Sequence, residues 1–153
     1  MLKNIFYLFA TLFCIVLLNA CVPRLTIEAN SNNTINPDES GNALPVLIKI
    51  VQLRDQTSFN AASFDDLWMN QQAVLGDSLL SEDEMTVLPN SQKTLRINYL
   101  KHAKYIGFIA IFRTHQHNSW RSIEKITGFT PLGRRYVISL SGNNLTIENG
   151  ARQ

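Results

Sequence analysis

After residue 22, apolar and polar positions mostly alternate in short runs, a period that predicts strands rather than helices. Val46 to Leu53 (VLIKIVQL) is apolar on both faces apart from Lys49 and Gln52, as in a strand covered on both sides. Tyr105 to Phe112 (YIGFIAIF) has the same character and is the candidate central core strand. Gly107 inside it predicts a bulge or a closely approaching backbone. Over Thr94–Leu100, the residues Leu95, Ile97 and Tyr99 alternate with Arg96 and Asn98, the signature of a half-exposed strand. Leu25–Ile27, Met85–Leu88, Trp120–Ile126, Tyr136–Leu140 and Leu145–Ile147 supply further short strands, the last two joined by a turn at Ser141-Gly142-Asn143-Asn144. One stretch has a helical period instead. Phe64, Leu67, Trp68 and Leu75 share a face, Ser63 suits the N-cap with Asp66 answering it three residues on, and Gly76 suits the stop. This predicts a helix over about 63–75, with an earlier turn near Phe59. The fold class that follows is all-β, a sandwich of seven to eight strands with a small helical addition.

Ala29 to Pro45 (ANSNNTINPDESGNALP) has no apolar period and is dense in turn formers. It is long for a connection in a compact domain, and loops of that length are usually functional or disordered. Glu82-Asp83-Glu84 predicts a solvated acidic loop, and Asp65-Asp66 a helix N-terminal charge.

The N-terminal residues have a third pattern. Ile5 to Leu18 (IFYLFATLFCIVLL) is an uncharged run preceded by Lys3. It is short for a membrane span of about 20 residues and fits a secretory signal. It ends at Leu18-Asn19-Ala20-Cys21, which resembles a bacterial lipobox in Leu18, Ala20 and Cys21, with Asn19 departing from the usual residue. Cleavage there removes Cys14 and leaves Cys21 as the sole cysteine, its sulfur lipidated. The expected covalent group is a diacylglycerol with an N-acyl chain at Cys21, since one acyl chain anchors only marginally and two or more hold stably. Val22 stands where inner-membrane lipoproteins typically carry Asp, so the sorting signal points to the outer membrane.

Composition narrows the chemistry. The 153 residues suit one domain plus a short accessory segment. The net charge of +2 gives no general attraction to nucleic acid or to an anionic membrane. Two Cys exclude a disulfide scaffold and a four-thiolate zinc site. Gly128 and Gly133 have phosphate-loop spacing but are followed by Arg134-Arg135 instead of Lys-Ser/Thr. Arg134-Arg135 reads first as a solvated strand start and second as a contact for a lipid head group or an acidic partner. His115-Gln116-His117 would place two imidazoles on one face if the segment were extended, but a third ligand would have to come from afar, and the reading preferred is a polar hairpin loop between two strands. No metal, no other cofactor and no small-molecule substrate is expected.

A series of short motifs spread over about 25–125 resembles one family. It comprises Leu25-x-Ile27, Ile35-Asn36-Pro37-Asp38, Gly41, Pro45-Val46, Ile48-Lys49-Ile50-x-Gln52-Leu53, Phe64-x-x-Leu67-Trp68, Leu75-Gly76-x-x-Leu79-Leu80, Tyr105-Ile106-Gly107, Phe112-Arg113 and Trp120-Arg121. With the lipobox, the order and spacing resemble the type VI secretion outer-membrane lipoprotein family, TssJ/SciN. Thr114–Ser119 departs in being polar and His-rich, and Val51 replaces a frequent Tyr.

The resemblance implies a transthyretin-like β-sandwich, lipid-anchored at the periplasmic face of the outer membrane and without catalytic activity. It implies docking to the periplasmic C-terminal region of the inner-membrane protein TssM through the loop between the first two strands. Here that loop is 29–45, with Asn36, Pro37, Asp38, Glu39, Gly41 and Asn42 as the expected contact residues. The expected division is 1–20 signal peptide, 21–24 lipidated tether and 25–150 sandwich, with a helical insertion over about 57–80. The rival reading is a periplasmic ligand carrier or pilot lipoprotein of another envelope assembly, and an enzyme is a distant third.

Overall fold

The computed structural model describes residues 23–115, 119–127 and 133–148. Eight strands form two four-stranded sheets: β1 (Arg24–Ser31), β2 (Val46–Leu53), β3 (Leu79–Val87), β4 (Gln92–Asn98), β5 (Tyr105–Ile111), β6 (Arg121–Lys125), β7 (Arg134–Ser141) and β8 (Asn144–Glu148). One sheet runs β4-β1-β7-β8 and the other β3-β2-β5-β6. All pairings are antiparallel except β1 with β7, where Leu25 lies beside Arg134. The inner faces meet through Ile27, Ile48, Ile50, Phe108 and Ile138, all fully buried. Each such side chain contributes about 1.5–3 kcal/mol of transfer free energy.

The strand directions give the sandwich two poles. β1 and β7 begin, and β4 ends, at the pole where Pro23 accepts the amide of Tyr99 at 2.9 Å. The second sheet reaches the same pole, because Gln52 Nε2 donates to the Asn98 carbonyl at 2.8 Å and Gln52 Oε1 accepts from Leu100 N at 2.9 Å. An eight-residue strand spans roughly 27 Å, so the ends of β1 lie at opposite poles.

The predicted helix is three short ones, α1 (Thr57–Ala61), α2 (Phe64–Met69) and α3 (Gln71–Leu75), followed by a 3-10 turn at Gly76–Ser78. Ser63 and Asp66 form the capping box their spacing predicts, the Ser63 hydroxyl accepting from Asp66 N at 3.2 Å. The break comes at Asn70, whose ψ of 23° leaves the helical range. Phe64, Leu67 and Leu75 are buried, whereas Trp68 is half exposed, so it lies off the buried face assigned to it.

This helical segment explains why β2 and β5 are apolar on both sides. It packs on the outer face of their sheet, and Phe59 lies over Gly107. A Cβ on Gly107 would sit 2.7 Å from the Phe59 ring and 2.9 Å from Val51 Cγ2. The close approach at Gly107 is therefore by a side chain, not by a bulge or a backbone. Arg121 on β6 clasps the segment, its guanidinium donating to the carbonyls of Phe59 at 2.7 Å, Asn60 at 2.9 Å and Ala62 at 2.6 Å.

Two sequence expectations are corrected. The acidic run Glu82-Asp83-Glu84 is not a loop but part of β3, which starts at Leu79 rather than Met85. Pairing with β2 satisfies its backbone on one side, and Lys49 crosses to Glu82 at 2.8 Å and Glu84 at 3.6 Å. Such charges on an edge strand also discourage pairing with another chain. The first strand likewise continues to Ser31, because Ala29 is buried and pairs with Lys93 and Ile138.

Candidate functional site

With β1 ending at Ser31, the loop between the first two strands starts at Asn32, not Ala29, and runs to Pro45. It lies at the pole opposite Arg24. Its ends are braced, contrary to what an Asn-rich composition suggests. Asn32 N donates to the Leu140 carbonyl, and Asn32 Oδ1 accepts from both the amide and the hydroxyl of Thr34, closing an Asx turn. Ile35 is fully buried.

Asn36 is the hub. Its amide donates to the Gly142 carbonyl at 2.8 Å, its Nδ2 to the Pro45 carbonyl at 3.0 Å, and its Oδ1 accepts from Arg113 N at 2.8 Å. It therefore ties the loop to its own far end, to the β7–β8 turn and to the segment after β5. Its φ of 46° is left-handed, a region Asn tolerates better than most residues. Asn36 is buried, so it holds the loop and does not present a side chain to a partner.

Beyond Asn36 the tip is built by Asp38. One carboxylate oxygen accepts from the amides of Ser40 at 2.9 Å and Asn42 at 2.8 Å, and the other from Asn42 Nδ2 at 3.0 Å. Gly41 closes the turn at φ 83°. The Asn42 side-chain amide, then its backbone amide, hold the Asp38 carboxyl below its ordinary value. Of the residues expected to make contacts, the tip thus exposes Glu39, Gly41 and Asn42, half-exposes Pro37 and Asp38, and buries Asn36. Glu39 stands 96% exposed, 4.0 Å from Arg113.

Because the Asp38 carboxyl is lowered in the folded state, its stabilising tie is complete above the ordinary value of 3.8 and is lost as the pH falls through the lower folded value. Amide resonances of Ser40 and Asn42 are expected to stay fixed from about pH 7 to about pH 5 and to move only below about pH 4. Movement at near-neutral pH would refute the tie.

Sequence reasoning missed two neighbours of the loop. Arg113 supplies the amide that holds Asn36, a role invisible in its side-chain type. Leu88 follows the buried Val87 and is 58% exposed beside the start of the loop, where its carbonyl accepts the Ser31 hydroxyl at 2.7 Å. Strict alternation from Met85 and Val87 would have placed it outward. Cys21, Val22 and His117 lie outside the described residues. His115 stacks flat on Phe64, with centroids 3.8 Å apart. Among the described residues, no group of three His, Cys, Asp or Glu could hold a metal, and no helix is long and apolar enough to cross a membrane.

The class these features define is a two-sheet β-sandwich with a helical cover on one face and a braced polar loop at one pole. The family model described as type VI secretion lipoprotein, VasD, EvfM, TssJ, matches residues 23–147, and the chain belongs to that family. It is a lipoprotein of the type VI secretion envelope machinery. The lipoprotein TssJ1 from Pseudomonas aeruginosa superposes with a TM-score of 0.77 at 22% identity, covering 86% of this chain and 98% of its own. Serratia marcescens Lip, described as a membrane-bound component of the type VI secretion system, gives 0.76 at 23% identity over 84% of this chain and 99% of its own. A chain in a structure described as the TssM C-terminal domain from EAEC gives 0.70 at 23% identity over 82% of this chain and 97% of its own. These likenesses establish the fold. No curated protein sequence matches the chain.

Proposed function

We propose that the protein is a non-catalytic tether, held in the periplasmic leaflet of the outer membrane by lipid on Cys21 and sorted there by Val22, that docks the periplasmic C-terminal region of TssM through the loop 32–45. The observation that carries this reading is the position of the loop. It occupies the pole opposite Arg24, and only Val22 and Pro23 separate Arg24 from Cys21. A domain hung from Cys21 therefore has the Asp38–Asn42 tip at the end farthest from its anchor, where it can reach toward the inner membrane. The bracing at Asn36 supports the same reading, since a pre-shaped loop has less conformational freedom to lose on docking. The carrier reading is disfavoured, because Ile27, Ile48, Ile50, Phe108 and Ile138 fill the space between the sheets.

Three variants of the full chain test the anchor. Cys21→Ala is expected to lose acyl labelling and to disappear from the outer-membrane fraction. Val22→Asp should keep the acyl label and the fold but move the protein to the inner-membrane fraction of a density gradient. Val22→Ser should behave as the native protein. An unchanged distribution of the first two refutes the anchor, while failure of the native lipoprotein to capture a TssM periplasmic fragment refutes the docking.

A further inference from the structure

The two poles differ in charge. Around the pole where β1 begins lie Arg24, Arg54, Lys101, Lys104, Lys125 and Arg134, all exposed apart from the half-buried Arg134. Register and hydrogen bonds hold them together. Arg24 pairs with Asn98, and Arg134 with Leu25. Lys125 pairs with Tyr105, and Lys104 N donates to the Leu53 carbonyl at 2.8 Å next to Arg54. Arg134 Nη1 reaches the Lys125 carbonyl at 3.3 Å. The acidic residues at this end are Asp55 and Asp77, which flank Arg54 and the Ser78 that it contacts, and Glu124 beside Lys125. Among the described residues, the remaining basic side chains, Arg24, Lys101, Lys104, Lys125 and Arg134, have no ion-pair partner within 4.0 Å. The opposite pole is balanced rather than basic, with Asp38 and Glu39 at its tip offset by Arg113, 4.0 Å from Glu39, and by Lys93, which pairs with Ala29 near the end of β1.

We infer that this basic pole rests on the anionic phospholipid headgroups of the bilayer that receives the Cys21 chains, and so holds the sandwich upright with its loop pointing away. The inference rests on the anchor reading above. Three Cα steps separate Cys21 from Arg24, a reach of about 11 Å even when fully extended. That is close to the screening length of about 10 Å at 0.1 M salt, so the pole cannot leave the range of the surface charge. Lys and Arg beside an anionic leaflet are attracted to it one by one. A lipid on a two-residue linker restrains position but not tilt, and a flat cationic end supplies the missing restraint. Orientation then becomes part of docking, because a domain lying on its side would turn the Asp38–Asn42 tip along the membrane.

The test uses the mature lipidated protein carrying a fluorophore at Asn33→Cys, an exposed position at the far pole, in vesicles with an acceptor on the headgroups. In phosphatidylethanolamine vesicles with about one quarter phosphatidylglycerol at low salt, transfer from the far pole is expected to be weak. It should rise at least twofold in about 0.5 M salt, in pure phosphatidylcholine vesicles, and in the Lys101→Glu, Lys104→Glu, Lys125→Glu triple variant, as the domain tilts. The corresponding Lys→Gln triple, with a native melting curve, should fall between the two. Transfer that is indifferent to lipid charge, salt and variant overturns the inference while leaving the anchor intact. A triple variant that keeps its orientation but loses the TssM fragment assigns the pole to a protein partner and also overturns it. Failure of the labelled protein to insert into any vesicle removes the anchor reading, and the inference falls with it.

Discussion

Truncating Phe108 to alanine is expected to cost the fold about 3–5 kcal/mol, the usual range for a buried aromatic whose cavity only partly collapses. Phe108 is fully buried in β5, between β2 and β6, and its ring centroid lies 5.8 Å from that of Tyr136 on the opposite sheet. Its neighbours have little freedom to fill the gap, since Ile50 pairs with it in register and is itself fully buried. Chemical denaturation should show the midpoint falling with the slope unchanged. Binding to the TssM fragment should be lost only where the variant is unfolded. A loss below about 1 kcal/mol would mean that the sheets are not locked through this ring.

The strands were legible wherever one face or both were apolar. β5 and β2 stand out because the helical segment covers their outer faces, and β4 and β7 stand out through alternation. β3 was legible only at Met85–Val87. Its first half carries Ser81, Glu82, Asp83 and Glu84, residues that an edge strand tolerates because one side of its backbone is paired and Lys49 crosses to the carboxylates. Local composition contains no signal for that, since the partner lies about thirty residues away in the chain. Gly107 was legible as a tight place but not as to what fills it, because Phe59 reaches it through the fold. The loop was legible as an anomaly of length and composition. Its bracing was not, as the partners of Asn36 are a proline carbonyl, an arginine amide and a glycine carbonyl, all backbone groups that any sequence supplies. The capping box at Ser63 was fully legible because both partners lie within one turn.

Exchanging only the tip, Asp38 to Asn42, for Gly and Ser residues of equal number is expected to leave the melting temperature nearly unchanged and to weaken binding of the TssM periplasmic fragment at least tenfold, about 1.4 kcal/mol. The tip is the largely exposed part of the loop; its hydrogen bonds, through Asp38, Ser40 and Asn42, are internal, and it reaches outside the loop through the exposed Glu39, 4.0 Å from Arg113. Excising the whole loop is a different experiment. It removes Ile35 from the core, and losing a buried Ile of this kind costs about 2–5 kcal/mol, so lost binding would then report on stability. Asn36→Ala separates bracing from contact. It leaves Arg113 N and the Pro45 carbonyl without their side-chain partner, at about 1–3 kcal/mol of stability for a part-buried group, while Glu39 and the rest of the exposed tip stay chemically intact. If the loop docks pre-shaped, this variant binds more weakly than the native protein even at temperatures where it is fully folded, because the tip must be ordered during association. If the tip merely supplies contacts, Asn36→Ala binds as the native protein does and the tip exchange alone fails. Wild-type affinity in a folded tip exchange would end the docking role of this pole. The interface would then move to the other exposed apolar side chains, Trp68 and Met69 on α2, which lie on the helical cover rather than at the end of the sandwich.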